Sequence, residues 1–315
     1  MHTTPLVSVI IPTYNCFKYL PKAISSIFEQ NIHNIEIIII DDGSTDETWD
    51  WLCKESAKHP QIKPYQTRSI GPSAARNYAL NVATGEYTAF LDADDYWLPG
   101  KLQAQIDFHK SHPDIVLSFT NYLHVDLKHN DLGDCFGFWP SFSKIHTQST
   151  HYEILKNPTA IIYSENVIGT SCVMVSTRTI QDCGKFDVTL LSAEDWDMWL
   201  RLSQLGQVGF TNDIGMIYLM RPDSESRNYY LRIQYMKKIL DKYRGDISIY
   251  NVRHILSAYG RLACAYAEYY LHEEKPIKAL LPHILATILT PSTRMFKATL
   301  ANGIKIFTDS AFDKP

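Results

Sequence analysis

Residues 88–97 read TAFLDADDYW, an apolar run that ends in three carboxylates placed within four positions. On an extended chain, residues two apart point to the same side, so Asp92 and Asp94 can converge while Asp95 turns away. Paired carboxylate oxygens at a strand end suit Mg²⁺ or Mn²⁺, which often share their coordination with substrate phosphates. The stretch therefore predicts a strand that ends in a metal site; the alternative is a solvated acidic turn before a helix.

The segments on either side of this stretch alternate between strand and helix patterns. The runs VSVII (7–11) and IEIIII (35–40) are almost wholly apolar and β-branched, as in strands buried on both faces of a parallel sheet. An amphipathic helix is predicted between them over 19–30, with Pro21 tolerated in its first turn. Later elements of the same kind are predicted as a strand over 61–66, a helix over 73–83 and a strand over 86–91. This alternation indicates an α/β layered fold.

Polar clusters follow three of the predicted strands. They are TYN at 13–15, DD at 41–42 and DADD at 92–95. In open α/β sheets, ligands bind beyond the carboxyl ends of the strands. We therefore expect the three clusters to share one ligand site.

The composition excludes some classes of protein. A net charge of −4 and a sequence pI near 6.3 give no broad basic field, so no nucleic-acid partner is expected. The six cysteines contain no CxxC pair, which favours reduced thiols. The N-terminal residues lack the features of a signal peptide, and no stretch reaches the roughly 18 uncharged apolar residues of a transmembrane helix. We expect a cytoplasmic protein, with any membrane association peripheral on the inner face of the cell membrane.

Four motifs, taken in their order and spacing, resemble the family 2 glycosyltransferases. They are PTYN at 12–15, DDGSTDET at 41–48, GPSAARN at 71–77 and FLDADD at 90–95. Each motif is weak alone, and the set is specific. The resemblance covers roughly residues 6–220.

The resemblance implies the GT-A fold, a Rossmann-like open and mostly parallel sheet flanked by helices. We expect this catalytic domain over 1–228, with a nucleotide-binding half over 1–120 and an acceptor-side half over 121–228. The tail over 229–315 is rich in Tyr, Leu and Ala at helical spacing. It is predicted as a C-terminal helical appendage.

The resemblance also implies roles for the residues that match the family's motifs. The residues that would contact the donor nucleotide are Pro12, Thr13 and Tyr14 at the base, Asp42 at the base or ribose, Arg76 near the nucleotide, and Asp92 at the ribose or metal. Asp94 would be the principal ligand of Mn²⁺ or Mg²⁺ under the donor diphosphate, the role of the family's DXD motif. From the residues alone, Asp41 and Asp42 could equally form an Asx turn, and Arg76 could be a solvated residue of a first helical turn.

A second acidic motif lies downstream, in the segment 183–202. Helical spacing begins at Trp196, so Glu194 and Asp195 lie at or just before a helix N-terminus, where the helix dipole and free N–H groups keep a carboxylate ionised. A carboxylate can remove the proton of an acceptor hydroxyl during an inverting transfer. The segment resembles the family's Glu-Asp motif, which implies that Asp195 is the catalytic base, with Glu194 as the alternative.

Other residues are candidates for the sugar-binding part of the site. Gly169 and Thr170 resemble the family's loop that lines the donor sugar and the acceptor. Trp196, or Trp97 behind the acidic cluster, could stack on a sugar, whereas Trp199 is expected in the core.

The sequence departs from the family at one place. Relatives often carry a histidine after the last strand of the catalytic domain, but YLMRPDSESRN at 218–228 contains none. Arg221 or Arg227 could hold the diphosphate instead, through charge-assisted hydrogen bonds, or either could be a surface arginine. His109 and His112 form no metal motif and are expected to be solvated.

These observations predict a metal-dependent inverting glycosyltransferase that uses a nucleotide-sugar donor, first of all a UDP-sugar. The acceptor would be a saccharide or lipid-linked saccharide, in the synthesis of a cell-surface polysaccharide such as O-antigen or capsule. Two alternatives are a non-catalytic nucleotide-sugar-binding module and a sugar nucleotidyltransferase. The second normally has a Gly-rich basic loop after its first strand, where this chain has PTYNCFKYL.

The C-terminal segment over 275–307 combines an apolar run with basic residues and contains no acidic residue. Pro282 and Pro291 are expected to break the run, which is too short to span a bilayer. Two interpretations stay open: docking on an anionic membrane surface, or helices packed on the catalytic domain or in a homo-oligomer.

Overall fold

The structure is a computed structural model that describes residues 4–139, 142–143, 151–221, 229–247, 251–291 and 296–303. Its contacts define two compact units. The first unit comprises Met1–Pro158, Val167–Thr189 and Glu194–Pro222, and the second comprises Thr159–Asn166, Leu190–Ala193 and Asp223–Pro315. The sequence-based boundary at residue 228 stays a prediction. Nothing in the sequence pattern indicated that the two short segments near 160 and 190 belong with the C-terminal unit.

One sheet contains every strand of the first unit. The strands are β1 Val7–Thr13, β2 Ile35–Asp41, β3 Ile62–Gln66, β4 Tyr87–Phe90, β5 Tyr96–Trp97, β6 Ile115–Val125, β7 Asp131–Asp134, β8 Glu153–Ile154, β9 Val173–Ser176 and β10 Gln207–Leu219. The helices of the described residues are α1 Leu20–Phe28, α2 Thr48–Lys58, α3 Pro72–Val82, α4 Lys101–Ser111, α5 Cys135–Phe138, α6 Pro158–Ser164, α7 Thr177–Asp182, α8 Glu194–Ser203, α9 Tyr229–Tyr243, α10 Val252–His272 and α11 Pro276–Leu289.

The strands lie in the order β3-β2-β1-β4-β9-β6-β10-β5, with β7 beside β6 and β8 beside β10. The first four of these strands are parallel, and their apolar residues are buried on both faces. The predicted mixed α/β fold with an open sheet is confirmed. Its second half is less parallel than expected, because β9 runs antiparallel between β4 and β6.

Helix α1 shows why the predicted βαβ unit forms. Leu20, Ala23, Ile24 and Ile27 recur at helical spacing and are buried, so one face of the helix packs on the sheet. Pro21 lies in the first turn, where its missing N–H costs no internal hydrogen bond.

The second unit contains α9, α10 and α11. Gly260 lets two of these helices approach closely, because a Cβ there would lie 2.6 Å from the Thr290 side chain just beyond α11. The expectation that Pro282 breaks the apolar run is wrong, since this residue lies inside α11, which continues to Leu289 before Pro291. Proline removes one backbone hydrogen bond from this helix, while Ala279 and Ala286 on either side of it are buried.

The expected solvation of His109 is also wrong. His109 is buried in α4, where its Nε2 lies 2.9 Å from the Ser118 hydroxyl of β6, and burial lowers its pKa to about 4. Its ring also forms a hydrogen bond with the backbone of Met174, so this neutral imidazole is a satisfied core residue. His112 ends the helix and is partly exposed.

Candidate active site at the carboxyl ends of the strands

The structure brings the polar residues after β1 and β2 together. Thr13 lies opposite Asp41 in the parallel ladder, and the Asp42 N–H donates to the Thr13 carbonyl at 2.9 Å. The Asn15 side-chain oxygen accepts from the Thr45 N–H at 2.8 Å, so the loop after β1 is hydrogen-bonded to the segment that leads into α2. Strand β4 pairs with β1 on its other side, which places the acidic cluster at the same sheet edge.

Three residues of the PTYN motif differ in their exposure. Pro12 is partly exposed, and Tyr14 is 55% exposed at the sheet edge. Thr13 is buried, and its hydroxyl has no hydrogen-bond partner within the described part of the chain. An exposed ring beside a buried hydroxyl is a fitting surface for a planar base.

Asp42 is the hydrogen-bond acceptor that orders the loop before α3. Its carboxylate accepts hydrogen bonds from the Thr67 hydroxyl, the Ile70 N–H and the Gly71 N–H, each at 2.8 Å. Any contact with a nucleotide therefore involves a carboxylate that already positions this loop. The contact that the family resemblance implies for Asp42 stays a prediction.

Arg76 joins the two acidic motifs of the sequence. It is buried in α3 and donates to Asp92 at 2.7 Å and to Glu194 at 3.1 Å. Burial acts to lower its pKa, but the carboxylates of Asp92 and Glu194 prevail and raise it. The alternative of a solvated arginine is excluded by this burial.

Asp94 forms an ion pair with Arg221. The Arg221 Nε donates to Asp94 at 2.7 Å, and the guanidinium lies 5.1 Å from the ring centre of Tyr19. Burial, and next the Asp92 carboxylate, raise the pKa of Asp94 against the effect of Arg221. Of the two arginines predicted for the diphosphate, Arg221 thus lies at the acidic cluster, whereas Arg227 lies outside the described residues.

The expected extended chain at 92–95 is instead a turn, which the Asp95 N–H closes by donating to the Asp92 carbonyl at 3.1 Å. The side-to-side alternation of a strand therefore does not describe Asp95. This side chain is buried, accepts from the Ser171 hydroxyl at 2.6 Å and from the Leu219 N–H at 3.3 Å, and has a pKa well above its ordinary value because of burial and the neighbouring Asp94 and Asp92. Asp95 is therefore a structural carboxylate that anchors β10 to the cluster.

Ser171 is a residue of the site that sequence reasoning missed. Its hydroxyl donates to Asp95 and accepts from the Asp92 N–H at 2.9 Å, while its carbonyl accepts from the Trp97 indole at 2.7 Å. The only signal in the sequence is its position directly after the predicted Gly169-Thr170 loop.

Asp195 lies in the first turn of α8, as predicted. It accepts from the Thr170 hydroxyl at 3.1 Å and from the Trp196 N–H at 2.6 Å. Burial, and next the charge of Glu194, raise its pKa to about 6, against the lowering effect of Arg76. The helix N-terminus therefore does not hold this carboxylate at an ordinary pKa, and Asp195 has the protonation equilibrium of a general base near neutral pH.

Gly169 lies close to the aromatic side chain of Tyr122 in β6. A Cβ at this position would lie 2.9 Å from the aromatic ring of Tyr122. The missing side chain lets the 170–172 turn lie against β6, with Thr170 facing Asp195 and Ser171 facing Asp95. Thr170 thus connects this turn to Asp195, and Ser171 connects it to the acidic cluster.

The proposed tryptophan platforms do not fit the structure. Trp196 is 2% exposed and Trp97 is 1% exposed, so neither indole offers a face to a sugar. Trp196 lies on the buried side of α8, and Trp97 is packed beneath the acidic cluster. The expected core position of Trp199 is confirmed by its complete burial.

The residues present suit a divalent cation shared with a substrate. Among the described residues, no group of three acidic, histidine or cysteine side chains could hold a metal ion alone. Asp92 and Asp94 nevertheless lie close enough for the charge of one to raise the pKa of the other. Two carboxylates with phosphate oxygens and water complete the hard oxygen coordination of Mg²⁺ or Mn²⁺. When bound, such an ion stabilises the negative charge that develops on a leaving diphosphate.

Comparison with known proteins supports the interpretation of these motifs. Residues 8–160 match the model of the family described as "Glycosyl transferase family 2". A chondroitin synthase of Escherichia coli is 29% identical over 210 residues, which cover 67% of this chain and 28% of the relative. The E. coli protein WfaP, described as a UDP-Glc:alpha-D-GlcNAc-diphosphoundecaprenol beta-1,3-glucosyltransferase, is 43% identical over 118 residues, covering 37% of this chain and 46% of the relative. The chain spans about half or less of the length of these relatives.

Solved structures show the same fold at low sequence identity. TarS 1-349 of S. aureus, in complex with UDP-GlcNAc, matches with a TM-score of 0.60 and 19% identity over 90% of this chain and 91% of that chain. The mannosyltransferase PcManGT of Pyrobaculum calidifontis, in complex with GDP-Man and Mn²⁺, matches with a TM-score of 0.62 and 19% identity over 97% of this chain and 81% of that chain. Residues 8–160 thus belong to the family described as glycosyl transferase family 2, and the chain has the GT-A fold.

Proposed function

We propose that the chain transfers a sugar with inversion from a nucleotide diphosphate donor, first of all a UDP-sugar, to a hydroxyl group of a saccharide. The observation that carries the proposal is the buried Arg76 guanidinium, which bonds Asp92 at 2.7 Å and Glu194 at 3.1 Å. One cation thereby links the carboxylates suited to a metal-bound diphosphate with the carboxylate pair suited to proton removal. A transfer reaction needs both groups in one site.

On the donor side, each group has a distinct task. The exposed Tyr14 ring and the buried Thr13 hydroxyl bind the base, beside Pro12. Asp94 and Asp92 hold Mn²⁺ or Mg²⁺, and Arg221 exchanges its bond with Asp94 for a bond with the diphosphate. WfaP is named for a UDP-Glc donor and TarS was solved with UDP-GlcNAc, which supports a UDP-sugar here.

On the acceptor side, Asp195 removes the proton of the attacking hydroxyl. Its carboxylate is held by the Thr170 hydroxyl and the Trp196 N–H, so one oxygen orientation is fixed before the acceptor binds. Glu194 is bonded to Arg76 and is therefore the less available of the two carboxylates. Attack opposite the leaving diphosphate requires only this one base and inverts the anomeric carbon.

The rate of transfer is expected to fall as the pH falls through about 6, because Asp195 has a pKa of about 6 and acts only when deprotonated. Replacing Glu194 by glutamine removes a negative charge that raises the pKa of Asp195. The acidic limb of the pH–rate profile should therefore move to lower pH. The measurement is kcat against pH at saturating donor and metal. A limb that stays in place in the Glu194→Gln variant would refute the assignment of this titration to Asp195.

Two other functions are less well supported by the site. A non-catalytic nucleotide-sugar-binding module has no need for a partly buried carboxylate of raised pKa at Asp195. A sugar nucleotidyltransferase normally has a Gly-rich basic loop after its first strand, whereas residues 14–19 of this loop contain no glycine. Slow metal-dependent hydrolysis of a nucleotide sugar would separate the proposed transferase from both.

Thermal-shift screening tests the donor assignment. UDP-Glc, UDP-GlcNAc and GDP-Man are compared with and without Mn²⁺, because a ligand that binds only the folded state raises the melting temperature by mass action. A UDP-sugar should give the largest shift, and the shift should depend on Mn²⁺ in the wild-type chain but not in Asp94→Asn. Equal shifts in the two proteins would remove Asp94 from the metal site.

For the acceptor, a lipid-linked saccharide of cell-surface polysaccharide synthesis is the class we propose. WfaP is named for a diphosphoundecaprenol acceptor and chondroitin synthase for a polysaccharide product. None of the helices in the described ranges combines the length and the hydropathy needed to cross a bilayer. We propose a cytoplasmic location, with peripheral contact to the membrane through the C-terminal helices.

Helix α11 carries this membrane contact. Its buried face consists of small residues together with His283, whereas Ile277, Leu281 and Ile288 are 73%, 74% and 68% exposed. Exposed Lys275 and Lys278 at its start and Lys297 beyond its end add positive charge. An apolar face with basic residues at its ends suits the headgroup region of anionic lipid, at roughly 1 kcal/mol for each basic residue.

Vesicle sedimentation is expected to show binding to anionic vesicles and weaker binding to neutral ones. The double variant Ile277→Glu and Leu281→Glu should lose this binding, because it places charge on the face that enters the headgroups. Leu205→Glu, an exposed leucine of the first unit, is the matched control and should still bind. Absence of the wild-type chain from both pellets at low salt, with a dimer in gel filtration, would assign the face to a second copy instead.

A further inference from the structure

The first unit contains a polar cavity that is not lined by the residues assigned above to sugar transfer. It has a volume of about 280 Å³ and is lined by the start of α4, by Thr120 of β6, by His151 and Tyr152, and by 211–215 of β10. The pairing of β10 with β6 is interrupted between Thr211 and Ile214. Such a bulge bends the strand and makes room beside it, which explains the cavity.

The most unusual group lining this cavity is the side chain of Lys101. This residue is 4% exposed, and its ammonium nitrogen has no hydrogen-bond partner among the described residues. The nitrogen lies 4.0 Å from the ring centre of Trp97, which offers an aromatic face and no hydrogen-bond acceptor. A buried ammonium without an acceptor is costly, and burial accordingly lowers the pKa of Lys101 to about 7.

Two hydroxyl groups of the same cavity are also without partners. The Thr120 Oγ1 and the Tyr152 hydroxyl are buried, and neither makes a hydrogen bond within the described ranges. The backbone of β10 is close to the first of them, since a Cβ at Gly215 would lie 2.5 Å from the Thr120 Oγ1. Buried polar groups in folded proteins are nearly always paired, so three unpaired groups around one cavity indicate a missing ligand.

We propose that this cavity binds a small anion, a phosphate or carboxylate group, through Lys101, Thr120 and Tyr152. All three groups can donate hydrogen bonds, and an anionic oxygen accepts from each of them. An anion restores a counter-charge to the lysine in a place where the low dielectric strengthens the attraction. Burial raises the pKa of the Tyr152 hydroxyl, and the charge of Asp213, which also lines the cavity, contributes to this rise. The Asp213 side chain is exposed to solvent, which screens its repulsion of an anion. The available volume limits the ligand to a small molecule.

The cavity has a direct structural link to the acidic cluster. The Trp97 ring that covers Lys101 donates its indole N–H to the Ser171 carbonyl at 2.7 Å, and the Ser171 hydroxyl binds Asp95. Trp97 and Ser171 therefore connect an anion at Lys101 to Asp95 and to the backbone of Asp92 in the acidic cluster. The cavity is nevertheless a separate site, because none of the residues proposed for donor or acceptor lines it.

Thermal unfolding of the full chain in inorganic phosphate and in acetate, each titrated at constant ionic strength with chloride, tests the proposal. A saturable rise in melting temperature is expected for at least one of the two, and the anion that saturates at lower concentration identifies the preferred group. Tyr152→Phe and Thr120→Val each remove one donor and preserve shape. Each should weaken the apparent affinity about fivefold, the effect of one hydrogen bond of ordinary strength.

Two further variants separate this site from the donor site. Lys101→Met should abolish the saturable rise, whereas Arg221→Ala, which removes a cation from the acidic cluster, should preserve it. The proposal is overturned if the wild-type chain shows no saturable rise, if the rise disappears in Arg221→Ala, or if Tyr152→Phe and Thr120→Val both leave the affinity unchanged. None of these results depends on sugar transfer, so the experiment tests the anion site independently of the proposed function.

Discussion

Replacing Asp195 with asparagine is expected to lower the rate of sugar transfer by about two to four orders of magnitude, the scale of losing a general base. Donor binding should be retained, because the hydrogen bonds of Asp195 go to Thr170 and Trp196 and not to the groups proposed to bind the metal and the diphosphate. The asparagine Oδ1 can still accept from the Trp196 N–H, and its Nδ2 can donate to the Thr170 hydroxyl, so the local structure is preserved. Single-turnover kinetics together with calorimetry of donor binding measure the two effects separately.

Glu194→Gln is the matched control for this variant. It removes the neighbouring carboxylate, which bonds Arg76 at 3.1 Å, and should lower the rate much less. If Glu194→Gln loses the rate while Asp195→Asn keeps it, the alternative base that the sequence left open is the correct one. A variant of Asp195 that loses donor affinity but keeps its saturated rate would contradict the role of a base.

The same substitution has an expected effect on stability. The folded-state pKa of Asp195 is raised from 3.8 to about 6, so its contribution to stability is fully present below pH about 4 and is lost as the pH rises through about 6. Asparagine does not ionise and avoids this loss. The melting temperature of Asp195→Asn should therefore equal or exceed that of the wild-type chain at neutral pH.

Replacing Asp94 with alanine is expected to abolish metal-dependent transfer, with a loss of at least about 100-fold, the effect of removing one strong contact to developing charge. Asp94 contributes no core volume, so the fold should persist. The substitution also breaks the 2.7 Å ion pair with Arg221, which frees this arginine within the site. The measurement is the rate as a function of Mn²⁺ and Mg²⁺ concentration.

Asp50→Asn is the control for a charge effect unrelated to the metal. Asp50 lies exposed on α2 and should show the wild-type metal dependence. Asp94→Ala protein that turns over at the wild-type rate, with unchanged metal dependence, would exclude Asp94 as the principal ligand. A failure of Asp94→Ala to fold would be detected by circular dichroism, and Asp94→Asn would then replace it.

Local sequence patterns were enough to predict the parallel half of the sheet. The strand Ile35–Asp41 is isoleucine at five of its seven positions. The polar residues after such strands meet at one edge because parallel strands end on the same side. The parallel pairing of β1 with β2 and β4 brings the acidic cluster to this edge as well. These features depend on residues adjacent in sequence, so the sequence alone is enough to predict them.

Contacts between distant segments could not be predicted in this way. The antiparallel course of β9, the link from Ser171 to Asp95 and the link from Arg76 to Glu194 join residues separated by between 76 and 118 positions. Burial of Trp196 and His109 depends on which face of a helix meets the sheet. The raised pKa of Asp195 depends on desolvation and on charges brought close only by folding.

The anomeric configuration of the sugar released from the donor tests the central claim most directly. The chain is incubated with an α-linked UDP-sugar and Mn²⁺, and the first sugar formed is followed by proton NMR before its anomers equilibrate. The account predicts metal-dependent release of the β-anomer together with UDP, abolished in Asp94→Ala and strongly slowed in Asp195→Asn. Release of the α-anomer, or hydrolysis that is indifferent to both substitutions, would contradict it.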